Sequence, residues 1–302
     1  MKTNKNFEQL LNTPGVKFTV ILGSGFHRNA IGGDSILSSW EKLLKKLSPA
    51  AKLTGEYHLD FEKIIQSKKS TSEDSYETEK RLIKCVQKLI KEEQEKVLNE
   101  CSHCYPLGIF NPEKVSDVIS LNFDEVPEKL LNKDKGAKIG KYSNDSSFSS
   151  SSKKSYRYLT TRSKVLNFGE KDNITFWHPH GIVSNQGIIL GAHRYAHMLK
   201  TVISIRNHHM DRKRSKNENN TWYNSLLENP VLILGAGISS TEWDMWFALT
   251  SRERANGSKP QIFQMRECEC KKGVQQEWFE PLFMGIDFKG QWKELEKRLK
   301  PK

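Results

Sequence analysis

The chain has 302 residues, 36% of them hydrophobic and 10% aromatic, enough to bury a substantial core within one α/β domain. Its 48 basic and 36 acidic residues leave a net charge of +12, which suits an anionic ligand, a nucleic acid or an acidic partner. No apolar run approaches the roughly 20 residues of a membrane span, the first nine residues lack the apolar stretch of a signal peptide, and five cysteines without an export signal point to reduced thiols. These features predict a cytoplasmic globular protein.

The first strong element is the apolar strand FTVIL, residues 18–22, which runs into Gly23-Ser24-Gly25-Phe26. Such a turn lets the backbone approach a pyrophosphate, with the next helix directing N–H groups at it. Arg28 stands where a G-x-G-x-x-G fingerprint has its third glycine, and no acidic residue closes a second strand about 20 residues on. That stretch is helical instead: in residues 35–47, Leu37, Trp40, Leu44 and Leu47 share one face. A dehydrogenase is therefore not expected. Residues 53–113 interrupt the α/β pattern with a long charged helix bearing Leu82, Val86, Leu89 and Ile90 at helical spacing, read as a helical insertion packed over the ligand cleft.

A second strand, at 118–121, delivers Ser120, Asn122 and Asp124 to its C-terminal end, where ligands sit in open α/β sheets. Asn and Asp are also common turn and N-cap residues, and Pro127 suits the first turn of a following helix. Residues 141–155 are serine-rich and low in complexity, and are read as a flexible loop. The next strand, 174–177, ends in His178-Pro179-His180-Gly181, and histidine is the side chain best matched to proton transfer near neutral pH. A further short strand is expected at 188–190.

His193 and His197 have the spacing of a metal pair, but no glutamate or other carboxylate joins them at a convincing ligand position. Cys101 and Cys104 are likewise matched only by the distant Cys268 and Cys270, so no metal is expected. The basic segment 206–216 lacks apolar periodicity and reads as an exposed loop, without any motif for direct nucleic-acid binding. The strand 231–234 meets a second glycine turn, Gly235-Ala236-Gly237, followed by Ser239 and Ser240. The helix beyond carries Trp243, Trp246, Phe247 and Leu249, read as a core stripe. A last strand is expected at 262–265. Alternating strands and helices predict a doubly wound, mostly parallel Rossmann-like sheet, with residues 1–302 forming one domain.

Taken in order, these segments resemble the sirtuin-like superfamily, and especially its divergent bacterial branch in defence against phage. The resemblance rests on Gly23–Arg28 leading to Trp40, on Asn122 and Asp124, on His180-Gly181, on the stretch 188–195 with Tyr195, and on Gly235–Ser239. Two C-x-x-C pairs that hold zinc in protein-deacylating sirtuins have no counterpart between Gly181 and Gly235. The Pro-Asp-Phe-Arg that follows the first turn in those enzymes is also missing.

The resemblance implies an enzyme that cleaves NAD, its substrate, to nicotinamide and ADP-ribose. It assigns Asn122 to the ribose hydroxyls or the attacking water, His180 to general base, and Asp124 to stabilising charge on the ribose or holding the turn. Gly23, Ser24, Gly25 and Phe26 would lie at the pyrophosphate, Arg28 at a phosphate or the ribose pocket, and Gly235 and Ser239 on the adenosine side; Tyr195 is read as packing. It further implies NAD depletion held off until a signal arrives, a homo-oligomer, and a separate regulatory protein such as a HerA-type ATPase. The apolar stripes of the long helix and of the C-terminal segment are the expected interfaces. A non-catalytic NAD or ADP-ribose sensor is the alternative, and an NAD-dependent deacylase is disfavoured by the missing cysteines.

Overall fold

A computed structural model describes residues 2–70, 74–135, 138–139, 162–167, 173–184, 187–211, 221–238, 242–256, 261–266 and 279–300. The strands are β1 (Lys2–Thr3), β2 (Phe18–Leu22), β3 (Val115–Ser120), β4 (Lys138–Ile139), β5 (Arg162–Asn167), β6 (Asn173–Trp177), β7 (Val231–Leu234), β8 (Ile262–Gln264), β9 (Glu280–Pro281) and β10 (Phe283–Met284). The helices are α1 (Lys5–Asn12), α2 (Gly25–Ile31), α3 (Trp40–Leu47), α4 (Tyr57–Lys68), α5 (Ser75–Glu100), α6 (Val126–Lys135), α7 (Ala192–Asp211), α8 (Trp222–Glu228), α9 (Trp243–Asn256) and α10 (Phe288–Leu299).

The main sheet runs β4-β5-β6-β3-β2-β7-β8-β9. Every pair from β6 to β9 is parallel, whereas β5 is antiparallel to both β6 and β4. The chain therefore winds outward from β2 through β3 to β6, returns to the centre, and winds the other way through β7, β8 and β9. This is the Rossmann-like, doubly wound order, whose direction reverses between β2 and β7.

The strands show why they are unbroken apolar runs. Val20 and Leu22 of β2, with Leu232 and Leu234 of β7, face one core, while Ile21, Val231 and Ile233 face the other. With a side-chain period of two and helices on both faces, these strands are apolar on both sides, and the buried polar groups among them have partners: Thr19 donates to the Ser225 carbonyl and Asp117 accepts from the Trp177 indole. Helices α1 to α6 and α10 contribute to the first core, and α7, α8 and α9 to the second.

The insertion predicted at 53–113 consists of α4 and α5, followed by short turns at Ser102–Cys104 and Leu107–Ile109. Helix α5 starts at Asp74, whose carboxylate accepts the Glu77 amide at 2.7 Å. It buries Leu82, Ile83, Val86, Ile90 and Val97. In α10, Trp292, Leu295 and Leu299 are buried against the same core, and the helix is tied on by Glu296, which accepts the Gly108 amide, and by Asn111, which donates to the Leu299 carbonyl. The apolar stripes expected to form interfaces are thus covered within the chain.

Two local expectations need correction. Residues 188–190 are buried but form no strand, because they follow the His180 loop, where the Ile189 amide bonds the His180 carbonyl, instead of extending the sheet. The segment 206–211, read as loop, continues α7; its weak apolar periodicity concealed a helix. The low-complexity segment 141–155, residues 212–216, Ser239, Ser240, Cys268 and Cys270 lie outside the described residues. Among the described residues, no helix is long and apolar enough to cross a membrane, and no three His, Cys, Asp or Glu side chains gather as metal ligands.

Candidate functional site

Gly23, Ser24, Gly25, Asn122, Asp124, His180 and Gly235 lie just beyond the C-terminal ends of β2, β3, β6 and β7, around the point where the sheet reverses, whereas Ser239 lies outside the described residues. There the turn after β2 and the turn after β7 meet backbone to backbone. The Gly23 amide donates to the Leu234 carbonyl at 3.0 Å, and the Gly25 amide to the Gly235 carbonyl at 2.8 Å. A Cβ on Gly23 would stand 2.5 Å from the Ala236 Cα, and one on Gly25 would stand 2.6 Å from the Gly235 Cα. Gly235 itself has φ +62 and faces Phe26 N and Gly25.

These glycines are therefore explained by the two turns interlocking. The amides expected at the pyrophosphate are engaged in the free protein: those of Gly23 and Gly25 across the two turns, and that of Phe26 with the Gly23 carbonyl. The Phe26 ring is fully buried and packs 5.0 Å from Tyr105 and 5.8 Å from both Phe110 and Trp292. Arg28 points toward the C-terminal helix, its guanidinium 5.7 Å from the Phe288 ring centroid. Ser24 lies beside the cleft with Asn122.

This cleft encloses about 320 Å³, including space open to solvent, and is lined by Ser24, Trp40, Ile90, Asn122, Phe123 and Asp124 among others. Ile90 belongs to α5, so the insertion does cover the predicted place. Trp40 meets Phe123 edge-on at 4.6 Å and stacks on Tyr57 at 5.9 Å. Asn122, 7% exposed, has its amide Nδ2 buried without a hydrogen-bond partner. Leaving such a donor dry costs about 1–3 kcal/mol, a penalty a ligand at this position would relieve.

Asp124 has a different setting. One carboxylate oxygen accepts the Val126 amide at 3.0 Å, capping α6, and the other meets His27 Nε2 at 2.9 Å. His27 Nδ1 in turn meets the Tyr105 hydroxyl at 2.9 Å. Burial works to raise the Asp124 pKa, but the charge and hydrogen bond of His27 outweigh it and hold the carboxyl below its ordinary range. With one partner on each oxygen, Asp124 links α2 to the start of α6, the turn-holding half of its expected role.

His178 is also occupied: its Nδ1 donates to the Asn122 carbonyl at 3.1 Å, and its Nε2 meets Glu128 at 2.7 Å. It holds the main chain of Asn122 in place. Burial lowers its pKa, but Glu128 more than compensates, so the net shift is upward.

His180 is 2% exposed. Its main chain is fixed by Gly181, which has φ +84 and whose added Cβ would run into the Gly187 carbonyl. The ring Nε2 lies 2.9 Å from Asp244 Oδ2, while Nδ1 is buried with no hydrogen-bond partner. Asp244 Oδ1 accepts the Tyr195 hydroxyl at 2.6 Å, and the same hydroxyl accepts the Asp244 amide at 3.2 Å. His58, from α4, stacks on Tyr195 with ring centroids 4.1 Å apart.

Burial works against the charged His180 ring, but the Asp244 carboxylate outweighs it and raises the pKa; Asp244 is correspondingly lowered by His180 against its own burial. For His58, burial first and then the charge of His180 push the pKa down to about 4. The Asp244 carboxylate thus favours the charged form of the His180 ring, whereas burial and the charge of His180 disfavour the charged form of His58.

Asn122 and His180 thus stand at the ends of neighbouring strands with one unpartnered polar atom each. Asp244, Tyr195 and His58 were missed as members of the site. The signal for Asp244 was present in the stretch WDMW: α9 turns Asp244, Met245, Ala248 and Leu249 inward, whereas Trp243, expected in the core, is 62% exposed. No model of a known protein family matches this sequence, and no curated protein matches it.

Proposed function

We propose that the chain hydrolyses NAD to nicotinamide and ADP-ribose, with Asn122 and His180 as the residues that act on the substrate. The observation that carries this reading is the pair of buried, unpartnered polar atoms, Asn122 Nδ2 and His180 Nδ1, at adjacent strand ends of a doubly wound sheet. Such strand ends are where nucleotides bind in this architecture.

Cleaving the nicotinamide–ribose bond releases a neutral leaving group and leaves an oxocarbenium-like ribose, so positioning and electrostatics matter more than a general acid. The Asn122 amide can both donate to and accept from a ribose hydroxyl or the attacking water. His180 Nδ1 takes the proton as water adds to the ribose carbon, and releases it to solvent afterwards. Because the His180 pKa is raised, the base form becomes available only as pH rises through that value.

By resemblance to the sirtuin-like defence branch, we further propose that the reaction depletes NAD during phage infection, in a homo-oligomer controlled by a partner such as a HerA-type ATPase. The test is direct: the purified chain, alone and with any co-encoded partner, is incubated with NAD and released nicotinamide is separated by chromatography. Cleavage that disappears in Asn122→Ala and His180→Ala supports the proposal; intact NAD in every assembly refutes it.

A second reading, a non-catalytic NAD or ADP-ribose sensor, is favoured by the engaged amides of Gly23, Gly25 and Phe26. It predicts a rise in melting temperature with ligand but no turnover.

A further inference from the structure

We propose that Asp244, held by Tyr195, is the positioning group for His180: it keeps Nε2–H as the donor and leaves Nδ1 as the nitrogen that takes the proton. The inference deepens the proposed function and rests on His180 being the base, but its first half concerns the free protein.

The geometry argues for it in three steps. First, Asp244 is completely buried, and an isolated carboxylate would not remain ionised there. Each oxygen has one strong partner, His180 Nε2 at 2.9 Å and the Tyr195 hydroxyl at 2.6 Å. Second, the carboxylate is located by three elements: its own helix α9, Tyr195 on α7, and the loop after β6. The Tyr195 hydroxyl also receives the Asp244 amide, so hydroxyl, carboxylate and main chain close one ring. Third, a carboxylate only accepts hydrogen bonds, which makes Nε2 the protonated nitrogen of the neutral ring. The lone pair is then on Nδ1, the one ring nitrogen left without a partner. A carboxylate behind a histidine that fixes its tautomer is a recurrent device in general-base catalysis.

The groups that act on His180 come from every side. Asp244 and Glu242 belong to the start of α9, the Leu121 carbonyl follows β3, and His58 approaches from α4. Among them, Asp244 gives the largest pull toward the charged ring, opposed by burial. Removing its charge leaves burial to dominate.

The experiment uses the full chain and the variants Asp244→Asn and Tyr195→Phe, with two readouts. Nitrogen-15 NMR of the His180 ring, recorded above its titration, is expected to show Nε2 protonated and Nδ1 unprotonated in the parent chain. Its titration should lie above pH 6.5 and fall below that value in Asp244→Asn. Kinetics of NAD cleavage across pH are expected to show kcat lowered by about 100-fold or more in Asp244→Asn, with KM little changed. The acid limb should move downward with the NMR titration. In Tyr195→Phe the loss should be about tenfold or less, since one neutral hydrogen bond is removed.

A neutral ring protonated on Nδ1 above the titration of the parent chain, or an Asp244→Asn protein with unaltered titration, overturns the inference. Should no form cleave NAD while the NMR outcome holds, the positioning pair stands and the hydrolase reading falls. If Asp244→Asn does not fold, the parent tautomer decides: Nε2–H with an unprotonated Nδ1 above the titration supports the inference, and the reverse tautomer overturns it.

Discussion

Gly25→Ala separates a glycine needed for a ligand from a glycine needed by the fold. The new Cβ would lie 2.6 Å from the Gly235 Cα and 2.8 Å from its carbonyl oxygen, both backbone atoms that cannot rotate aside. Reaching an ordinary contact of 3.4 Å requires the two turns to part by about 0.8 Å, the difference between 3.4 and 2.6. Overpacking of that kind costs about 1–3 kcal/mol.

The movement also stretches the Gly25–Gly235 and Gly23–Leu234 hydrogen bonds, at 2.8 and 3.0 Å, for about 1 kcal/mol each. Alanine returns up to about 1 kcal/mol through helix propensity at the first position of α2. The net loss is about 2–4 kcal/mol, or about 4–8 °C in melting temperature for a chain of this size. The assay is thermal unfolding without nucleotide, followed by near-UV circular dichroism. Gly33→Ala serves as the control, because a Cβ there meets nothing within 4 Å. An unaltered melting temperature for Gly25→Ala would refute the interlocked turns and leave the pyrophosphate role for this glycine.

Asn122→Ala is expected to reduce NAD cleavage by about 100-fold while shifting the melting temperature by less than about 2 °C, since the amide nitrogen it removes has no partner. Wild-type kcat/KM in that variant would remove Asn122 from the mechanism. Asp124→Ala is expected to lower stability by about 1–3 kcal/mol in urea titrations, because it leaves His27 Nε2 and the Val126 amide without their partner; an unchanged midpoint would contradict its role as a link between α2 and α6. Stability should also fall as pH drops from 6.5 toward 4, because the unfolded chain protonates His58 there while the folded protein holds it neutral down to about 4. The full effect is about 3 kcal/mol. His178 and His180 act in the opposite sense: their raised values give stability that is complete below pH 6.5 and is lost as pH rises through the folded pKa. The urea midpoint is therefore expected to be greatest near pH 6.5, with the acid-side fall reduced in His58→Phe; a flat midpoint between pH 6.5 and 4.5 in the parent chain would contradict this.

Much of the architecture was determined locally. FTVIL and VLIL are apolar at every position but Thr19 because a central strand is covered on both faces, and that requirement is visible in four or five residues. Asn122 and His180 were legible for a related reason: they stand just beyond such strands, and strand ends in a doubly wound sheet converge on one edge. Asp124 was visible as either a cap or a catalytic carboxylate, but its partner His27, 97 positions away, was not. Only the tertiary structure brought Asp244 to His180 across 64 positions and Tyr195 to Asp244 across 49. Only it showed that Gly23, Gly25 and Gly235 close on one another. These contacts arise from the order in which β2 and β7 pair and from the rotation of α9 about its axis. Both are settled by packing elements distant in sequence into two shared cores, so no local pattern of residues specifies them.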